Sequence, residues 1–243
     1  MLVNVKKNTI YFRFFVILLT FNLIISCKST SSYQTTKIEG KKIGVTNEKG
    51  ENEAIVNYVK PYSDNINKDL NSVLAYCPET QDKSKGTWQS NIGNLLAEIT
   101  FELGNPVFQK RENKTIDVCL LNHGGIRAVI PKGDVTTRTA FEVMPFENSL
   151  FIVGLTGKEI KTLAEYIIKE KKPHPLNGMK IYIDKSTSAI NKIEINDQPL
   201  DENRIYYVGT SDYLANGGDN MTFFKESTIK FDMDYKLRNM MID

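Results

Sequence analysis

The sequence predicts one domain of the α+β class, with mixed layers of helices and strands and at least partly antiparallel pairing. Helical and strand-like segments alternate early in the chain, whereas three strand-like runs follow one another late, at 179–183, 190–196 and 204–210. A hydrophobic fraction of 41% and a charged fraction of 25% are ordinary for a protein that buries a core. No internal repeat or long linker divides the 243-residue chain after residue 55, which favours one domain.

The amino-terminal segment has the pattern of a bacterial lipoprotein signal. Lys6, Lys7 and Arg13 precede the apolar run FFVILLTFNLII, which is shorter than the roughly 20 residues of a membrane-spanning helix. The small Ser26 stands before Cys27, as in a lipobox, and a polar stretch follows. An ordinary cleaved signal with an incidental cysteine is the alternative. We expect the chain to divide into a signal peptide at 1–26, a lipidated Cys27 with a polar tether at 27–54, and one domain at 55–243.

Charge and cysteine content limit the partners and the compartment. Lipidation of Cys27 would anchor the protein to a membrane of the bacterial cell envelope, outside the cytoplasm. Removal of the segment before Cys27 takes the formal charge from +2 to −1, so the charge does not indicate a nucleic-acid polymer as partner. Cys119 lies in an apolar strand-like run and is expected to be a buried free thiol, whereas its pairing with Cys77 stays open.

Hydrophobic spacing predicts the elements before the middle of the chain. A weakly alternating run suggests a strand at 35–45. A helix is expected to begin at Pro61 or Ser63 and to continue to residue 75. A second helix at 90–104 follows the i, i+3, i+4 pattern, and Gly104 is expected to end it.

The later elements follow from apolar runs and one cap. A buried strand is expected at 116–122, and a strand followed by a helix at 149–172. Thr156 and Glu159 have the spacing of a capping box, which marks the start of that helix. A short helical piece at 231–241 closes the predicted domain after the three late strands.

The histidine content excludes several kinds of catalytic site. His123 and His174 are the two histidines of the chain, so a site built from several imidazoles is excluded. His174 lies in a proline-bounded loop and is expected to be exposed. The sequence also contains no GxSxG, HExxH or Walker motif.

Three loop segments combine residues that suit a flat, partly polar ligand. They are LLNHGGIRAVI, VMPFENSL and SDYLANGGDN, and each adjoins an apolar strand. A planar base can stack between two rings such as Phe146 and Tyr213, an aspartate can accept from two sugar hydroxyls, and an arginine can bond sugar or phosphate oxygens. A glycine pair beside Asn or Asp is also the ordinary composition of a turn, and an aromatic residue alone is often part of a core. The combination favours a nucleoside site.

These segments carry a family resemblance. NHGGIR, then PKGDVTTRTAFEVMPFENSLFIVGLTGKEI, then YYVGTSDYLANGGDNMTFF resemble, in this order, the carboxy-terminal domain of the 5′-nucleotidase and UDP-sugar hydrolase family. That family usually shows an N-G-G-G-I-R run, a P-F-G-N turn and an aromatic-x-A-x-G-G-D loop. The resemblance extends from about Pro61 to the end and implies a substrate-recognition domain.

The resemblance also implies roles for individual residues. Phe146 and Tyr213 correspond to the two aromatics that sandwich the base. Asn122 corresponds to the residue that bonds the base, and Arg127 and Asp219 correspond to the ribose contacts. The expected substrate-binding residues are therefore Asn122, Arg127, Phe146, Tyr213, Gly217, Gly218 and Asp219.

In the family, the metals sit in a separate amino-terminal metallophosphoesterase domain. Here the chain passes from lipobox to tether to recognition domain, so we expect no catalytic residue, metal ligand or cofactor within it. The leading hypothesis is a nucleotide- or nucleoside-recognition domain that acts with a separate metallophosphoesterase chain holding a divalent metal. The alternatives are a cell-surface nucleoside-binding module without a phosphatase partner and a degenerate domain kept for protein contacts.

Four departures from the family pattern bear on the ligand. His123 replaces a glycine, Glu147 replaces the glycine after the phenylalanine, and Tyr213 stands where phenylalanine is common. Trp88 and Gln89 occupy a segment that often carries an arginine. The loss of that arginine, and a Glu147 side chain directed inward, would both weaken binding of a charged phosphate.

Overall fold

Residues 3–24, 33–46 and 49–243 are described by the structure, a computed structural model. The chain divides into two units, Met1–Asn52 and Glu53–Asp243. The first contains the helix α1 (Val3–Ile24), and its residues 33–46 have no regular secondary structure, so the strand predicted at 35–45 is wrong. Cys27 lies outside the described residues. Within the described part of the chain, no helix is long and apolar enough to cross a membrane.

The second unit contains both helices and strands, which confirms the α+β class. Its helices are α2 (Glu53–Leu70), α3 (Asn91–Glu112), α4 (Thr137–Val143), α5 (Gly157–Glu170), α6 (Asp212–Ala215), α7 (Thr222–Glu226) and α8 (Leu237–Ile242). Its strands are β1 (Val73–Cys77), β2 (Val118–Leu120), β3 (Gly133–Thr136), β4 (Ser149–Thr156), β5 (Leu176–Asn177), β6 (Met179–Ile183), β7 (Ile190–Ile195), β8 (Gln198–Pro199), β9 (Ile205–Ser211) and β10 (Lys230–Lys236).

The central sheet has the strand order β10-β4-β9-β2-β5. Strand β2 is parallel to β9, whereas the other neighbours are antiparallel. The described residues also form two smaller sheets, β1-β3 and β6-β7-β8. The antiparallel pairing predicted from the run of late strands is thus confirmed.

Alternate residues of β4 show how the core is divided between the two faces of the central sheet. Leu150 and Ile152 belong to a cluster with residues of α3 and α8, whereas Val153 and Leu155 belong to a cluster with residues of α5 and α7. All four side chains are fully buried. The sheet is therefore covered on both faces, so its residues remain accessible to a ligand chiefly at its edges and strand ends.

Helix α3 is longer than its sequence pattern predicts. Ser90 caps its start, but Gly104 does not end it, and the helix continues to Glu112. A Cβ at Gly104 would lie 2.9 Å from Leu150 Cδ2 and 3.0 Å from Ile116 Cδ1. The glycine is there because the helix approaches the sheet closely at this point, and the helix stop is supplied by Asn113, which has a φ of 53°.

Two other boundaries differ from the prediction because strands pair over long distances. Helix α2 begins at Glu53, contains Pro61, and ends at Leu70, while the apolar residues after it form β1 and pair with β3. At the carboxyl end, Phe231 lies in β10 and pairs with β4, so the predicted helix begins only at Leu237. The capping box of Thr156 and the strand β6 are confirmed at the predicted positions.

Candidate functional site

The topology brings three loops to one edge of the central sheet. Strands β2 and β9 run parallel, so the segments after them leave the same edge. Strand β4 is antiparallel to β9, so the segment before β4 lies there too. These segments are the turn 121–127, the turn 144–148 and the loop 212–221. Each contains residues that the sequence predicts to bind a ligand.

The three segments surround one cleft of about 400 Å³. Its lining residues come from all three of them and are Asn122, Gly124, Gly125, Arg127, Phe146, Asn148, Tyr213 and Asp219. The two predicted glycines of the last loop, Gly217 and Gly218, are not among these lining residues.

Phe146 and Tyr213 form the apolar part of the cleft. Their side chains are 47% and 46% exposed, although both rings are large and hydrophobic. Neither loop needs such a ring for the core, since the buried clusters on both faces of the sheet are formed by other residues. Two half-exposed rings on separate loops around one cleft are suited to hold a planar apolar group.

Asp219 forms the polar part and also ties the loops together. Its Oδ2 accepts from Asn122 Nδ2 at 2.8 Å, and its Oδ1 accepts from the Tyr213 hydroxyl at 2.9 Å. Its backbone N–H donates to that hydroxyl at 3.2 Å, and its carbonyl accepts from the Tyr166 hydroxyl at 2.8 Å. Each carboxylate oxygen has a second acceptor direction, so Asp219 can still accept from hydroxyls of a ligand.

The two glycines of this loop permit its backbone conformation and the packing of the Tyr213 ring. Gly217 has a φ of 91°, in the region that favours glycine. A Cβ at Gly218 would lie 2.5 Å from Cε1 and Cζ of Tyr213. The bare backbone at Gly218 therefore provides room for the Tyr213 ring, which in turn reaches Asp219.

Positive charge lies along the turn after β2. Arg127 is exposed, lines the cleft, and donates from Nη1 to the carbonyl of Gly124 at 3.4 Å. Lys83 donates from Nζ to the carbonyl of Ile126 at 2.5 Å. Burial, and then the charge of Arg127, lower the pKa of Lys83. Lys83 is not among the predicted site residues, because its contact with the turn depends on the fold and has no local signal in the sequence.

His174 is buried, which corrects the expectation that its loop is exposed. Its side chain is 5% exposed, and its Nδ1 accepts from the backbone N–H of His123 at 3.3 Å. Its ring lies 5.8 Å from that of Tyr166. The segment is held against the end of β2 by a hydrogen bond from the Leu121 N–H to the Pro175 carbonyl, a long-range contact without a local signal.

Glu147 is paired with Arg238 and does not line the cleft. The Arg238 guanidinium lowers the pKa of Glu147 and also donates to the carbonyls of Met144 and Phe146. It stacks 4.0 Å from the ring centre of Phe141. Arg238 thus fixes the turn that carries Phe146, and the expected repulsion between Glu147 and a ligand phosphate is reduced.

Two further expectations concern cysteines and metals. Cys77 and Cys119 are both buried free thiols, so the expectation for Cys119 is confirmed and the pair is not bonded. In residues 3–24, 33–46 and 49–243, no group of three or more His, Cys, Asp or Glu residues comes together, and the expectation about metals stays a prediction.

Comparison with protein families matches residues 72–226 to the family described as 5′-nucleotidase, C-terminal domain. The trifunctional nucleotide phosphoesterase protein YfkN of Bacillus subtilis is 28% identical over 171 residues, which are 61% of this chain and 11% of that protein. The NAD 5′-nucleotidase of Haemophilus influenzae is 30% identical over 132 residues, which are 46% of this chain and 22% of that protein.

A solved structure has a similar fold over most of this chain. The 5′-nucleotidase precursor of Thermus thermophilus matches 79% of this chain with a TM-score of 0.64 and 28% identity, and the match covers 39% of that protein. The chain therefore spans well under half the length of each of these relatives.

Proposed function

The chain belongs to the 5′-nucleotidase C-terminal domain family, and from this premise we propose that its cleft recognises a nucleotide or nucleoside for a 5′-nucleotidase-type hydrolase of nucleotide catabolism. The observation that supports this most strongly is the placement of Phe146 and Tyr213 on separate loops around one cleft, beside Asp219. Base–aromatic stacking contributes about 1–3 kcal/mol for each ring. In this arrangement, Asp219 accepts hydrogen bonds from the sugar hydroxyls, and Asn122 faces the edge of the stacked base.

A phosphate would lie on the side of the turn that carries Arg127. Lys83 adds to the positive charge there, and its charge contributes, after burial, to lowering the pKa of His123. A phosphate interacts favourably with such a group of cations. This charge favours a nucleotide over a bare nucleoside, even though Trp88 stands where the family often has an arginine.

Hydrolysis requires a metal, which we place in a separate metallophosphoesterase chain. The recognition domain would then hold the nucleotide while the partner chain activates water against the phosphate. Lipidation of Cys27 would keep the protein on a membrane of the cell envelope, where both chains meet extracellular nucleotides. The identity of the relatives as nucleotide phosphoesterases and nucleotidases supports the nucleotide as substrate class.

Calorimetric titration with adenosine, AMP and a UDP-sugar tests the recognition step. We expect binding by the wild type and loss of about 1–3 kcal/mol, or 5- to 150-fold in affinity, in Phe146→Ala and in Tyr213→Ala. Tyr76→Ala is the matched control, because Tyr76 is 63% exposed and lies in β1, outside the cleft. Absence of binding to all three ligands would instead support a degenerate domain kept for protein contacts.

Two assays test the rest of the proposal. The chain alone, supplied with divalent metal and AMP, is expected to release no phosphate, and steady metal-dependent release would show that no separate catalytic chain is needed. Mass spectrometry of the protein from bacterial membranes is expected to find an acylated amino-terminal Cys27. A Cys27→Ser variant with unchanged membrane association would contradict the anchor.

A further inference from the structure

Deepening the proposed function, on which this step rests, we propose that neutral His174 is a positioning residue that holds the turn carrying Asn122 and Arg127. Protonation of its ring would release this turn, so that acid weakens nucleoside binding. His174 does not line the cleft, and it would act through the backbone of the turn.

The hydrogen bond between His123 and His174 fixes the protonation state. The backbone N–H of His123 can only donate, so His174 Nδ1 must accept, and the neutral ring carries its proton on Nε2. A protonated ring has an N–H at both nitrogens. The Nδ1–H would then face the N–H of His123, donor against donor, and the hydrogen bond at the start of the turn would be lost.

The same ring connects the turn to the opposite loop. His174 contacts the ring of Tyr166, whose hydroxyl donates to the carbonyl of Asp219 at 2.8 Å. Asp219 in turn accepts from Asn122 of the turn. Burial raises the pKa of Tyr166 to about 12, so its hydroxyl remains a donor. A shift of His174 would therefore reach both the turn that carries Asn122 and the loop that carries Asp219.

Charging His174 is unfavourable where it lies. Its Nε2 is buried and has no hydrogen-bond partner among the described residues. The charged and titratable groups around it are His123 of the turn, Lys172 of its own loop, Glu170 and Tyr166 of α5, and Asp219 of the opposite loop. Lys172 is itself paired with Glu170 at 2.8 Å.

The direction of the pH effect follows from these surroundings. Burial, and then the charge of His123, lower the pKa of His174 below its ordinary 6.5, and they outweigh the Leu121 backbone and Asp219, which raise it. A histidine with a depressed pKa favours the intact fold fully above 6.5, and that contribution is lost as the pH falls from 6.5 through the depressed pKa. The turn is therefore held at neutral pH and weakened in acid.

The two histidines of the chain make the test simple, because each can be removed alone. In His174→Asn, the amide oxygen can accept from the N–H of residue 123 at every pH. His123→Asn removes the other imidazole and keeps that N–H. Adenosine is the ligand, since it keeps one charge state over about pH 5 to 8, the range in which histidine titrates.

We expect the adenosine affinity of the wild type and of His123→Asn to fall steadily as the pH is lowered from 7.5 to 5, toward a total loss of about fivefold, as for the loss of one buried hydrogen bond. The affinity of His174→Asn is expected to change less than twofold. An equal fall in His174→Asn would overturn the proposal, since another group would then be the titrating one.

Hydrogen exchange of the ligand-free chain separates this proposal from the proposed function. The protection factor of the amide at position 123 is expected to fall with acid in the wild type and to stay constant in His174→Asn. If the wild type keeps its protection, the coupling through His174 is refuted, whether or not adenosine binds. If protection falls but no nucleoside binds at pH 7.5, the switch stands and the proposed function fails.

Discussion

The substitution Gly218→Ala tests whether the Tyr213 ring must lie against the backbone of the loop. The added Cβ would lie 2.5 Å from Cε1 and Cζ and 2.6 Å from Cδ1 of Tyr213, closer than carbon atoms approach in proteins. Its neighbour in space is a rigid ring, which cannot give way by bending. The ring or the loop must therefore move.

The size of the effects on stability and on affinity depends on whether the loop or the Tyr213 ring moves. If the loop shifts and the ring stays, overpacking costs about 1–3 kcal/mol of folding free energy. If the ring swings out, the hydrogen bonds of its hydroxyl with Asp219 are lost, at about 0.5–1.5 kcal/mol each. The stacking face is lost as well, at about 1–3 kcal/mol of binding. Because Tyr213 is 46% exposed, the second route is open, and we expect adenosine affinity to fall about tenfold or more, with a loss of stability of about 1–3 kcal/mol from the two hydrogen bonds.

The assay is calorimetric titration with adenosine combined with thermal unfolding. Gly209→Ala is the control, because a Cβ there meets its nearest neighbour, Ile116, at an ordinary 3.5 Å. In a double-mutant cycle, Gly218→Ala is expected to have almost no further effect in the Tyr213→Ala background. The reasoning would be refuted if Gly218→Ala bound adenosine as tightly as the wild type does. It would also be refuted if Gly218→Ala reduced the affinity as much in the Tyr213→Ala background as in the wild type.

The remaining predictions concern the support of the site and the core. Arg238→Met is expected to reduce adenosine affinity and to cost about 1–3 kcal/mol in urea unfolding, because the carbonyl of Phe146 loses a donor; an unchanged affinity would separate Arg238 from the site. Cys119 is expected to resist iodoacetamide until the chain unfolds, because it is fully buried and its pKa is raised to about 12. Burial above all raises the pKa of Asp117, so the wild type is expected to gain stability relative to Asp117→Asn as the pH falls from 7 to 4 in urea titrations; a constant difference would contradict this.

Elements with a strong local signal could be predicted from the sequence. The capping box of Thr156 and the apolar stripe of the helix after it are complete within a few residues, and both are confirmed. The strand at 179–183 is also bounded by local turn residues. Such signals depend on neighbours along the chain, so no knowledge of the fold is needed.

The errors occur where a distant strand or helix decides the local structure. The apolar residues after α2 suit a helix or a strand, and their pairing with β3 selects the strand. Gly104 was expected to end a helix, but it allows that helix to lie close to Leu150. His174 is polar and lies between prolines, and only the contact of its loop with the end of β2 buries it.

The sequence predicted which residues form the candidate site, but it did not predict the hydrogen bonds between them. The sequence indicated that Asn122, Tyr213 and Asp219 serve one ligand, but not that they bond to one another before it arrives. This network spans 97 residues of sequence between Asn122 and Asp219. Because the loops are already held together, less conformational entropy of the protein is lost when a ligand binds.

The departures from the family pattern bear on whether the domain still binds a ligand. Glu147 is paired with Arg238, which also holds the turn of Phe146. The hydroxyl that distinguishes Tyr213 from phenylalanine bonds Asp219. Both changes thus add contacts that fix cleft residues, whereas a domain kept only for protein contacts would have no need to order an aspartate in a cleft with two exposed rings. The departures therefore favour a retained binding cleft over a degenerate one, and the adenosine titrations of the ring variants decide between the two.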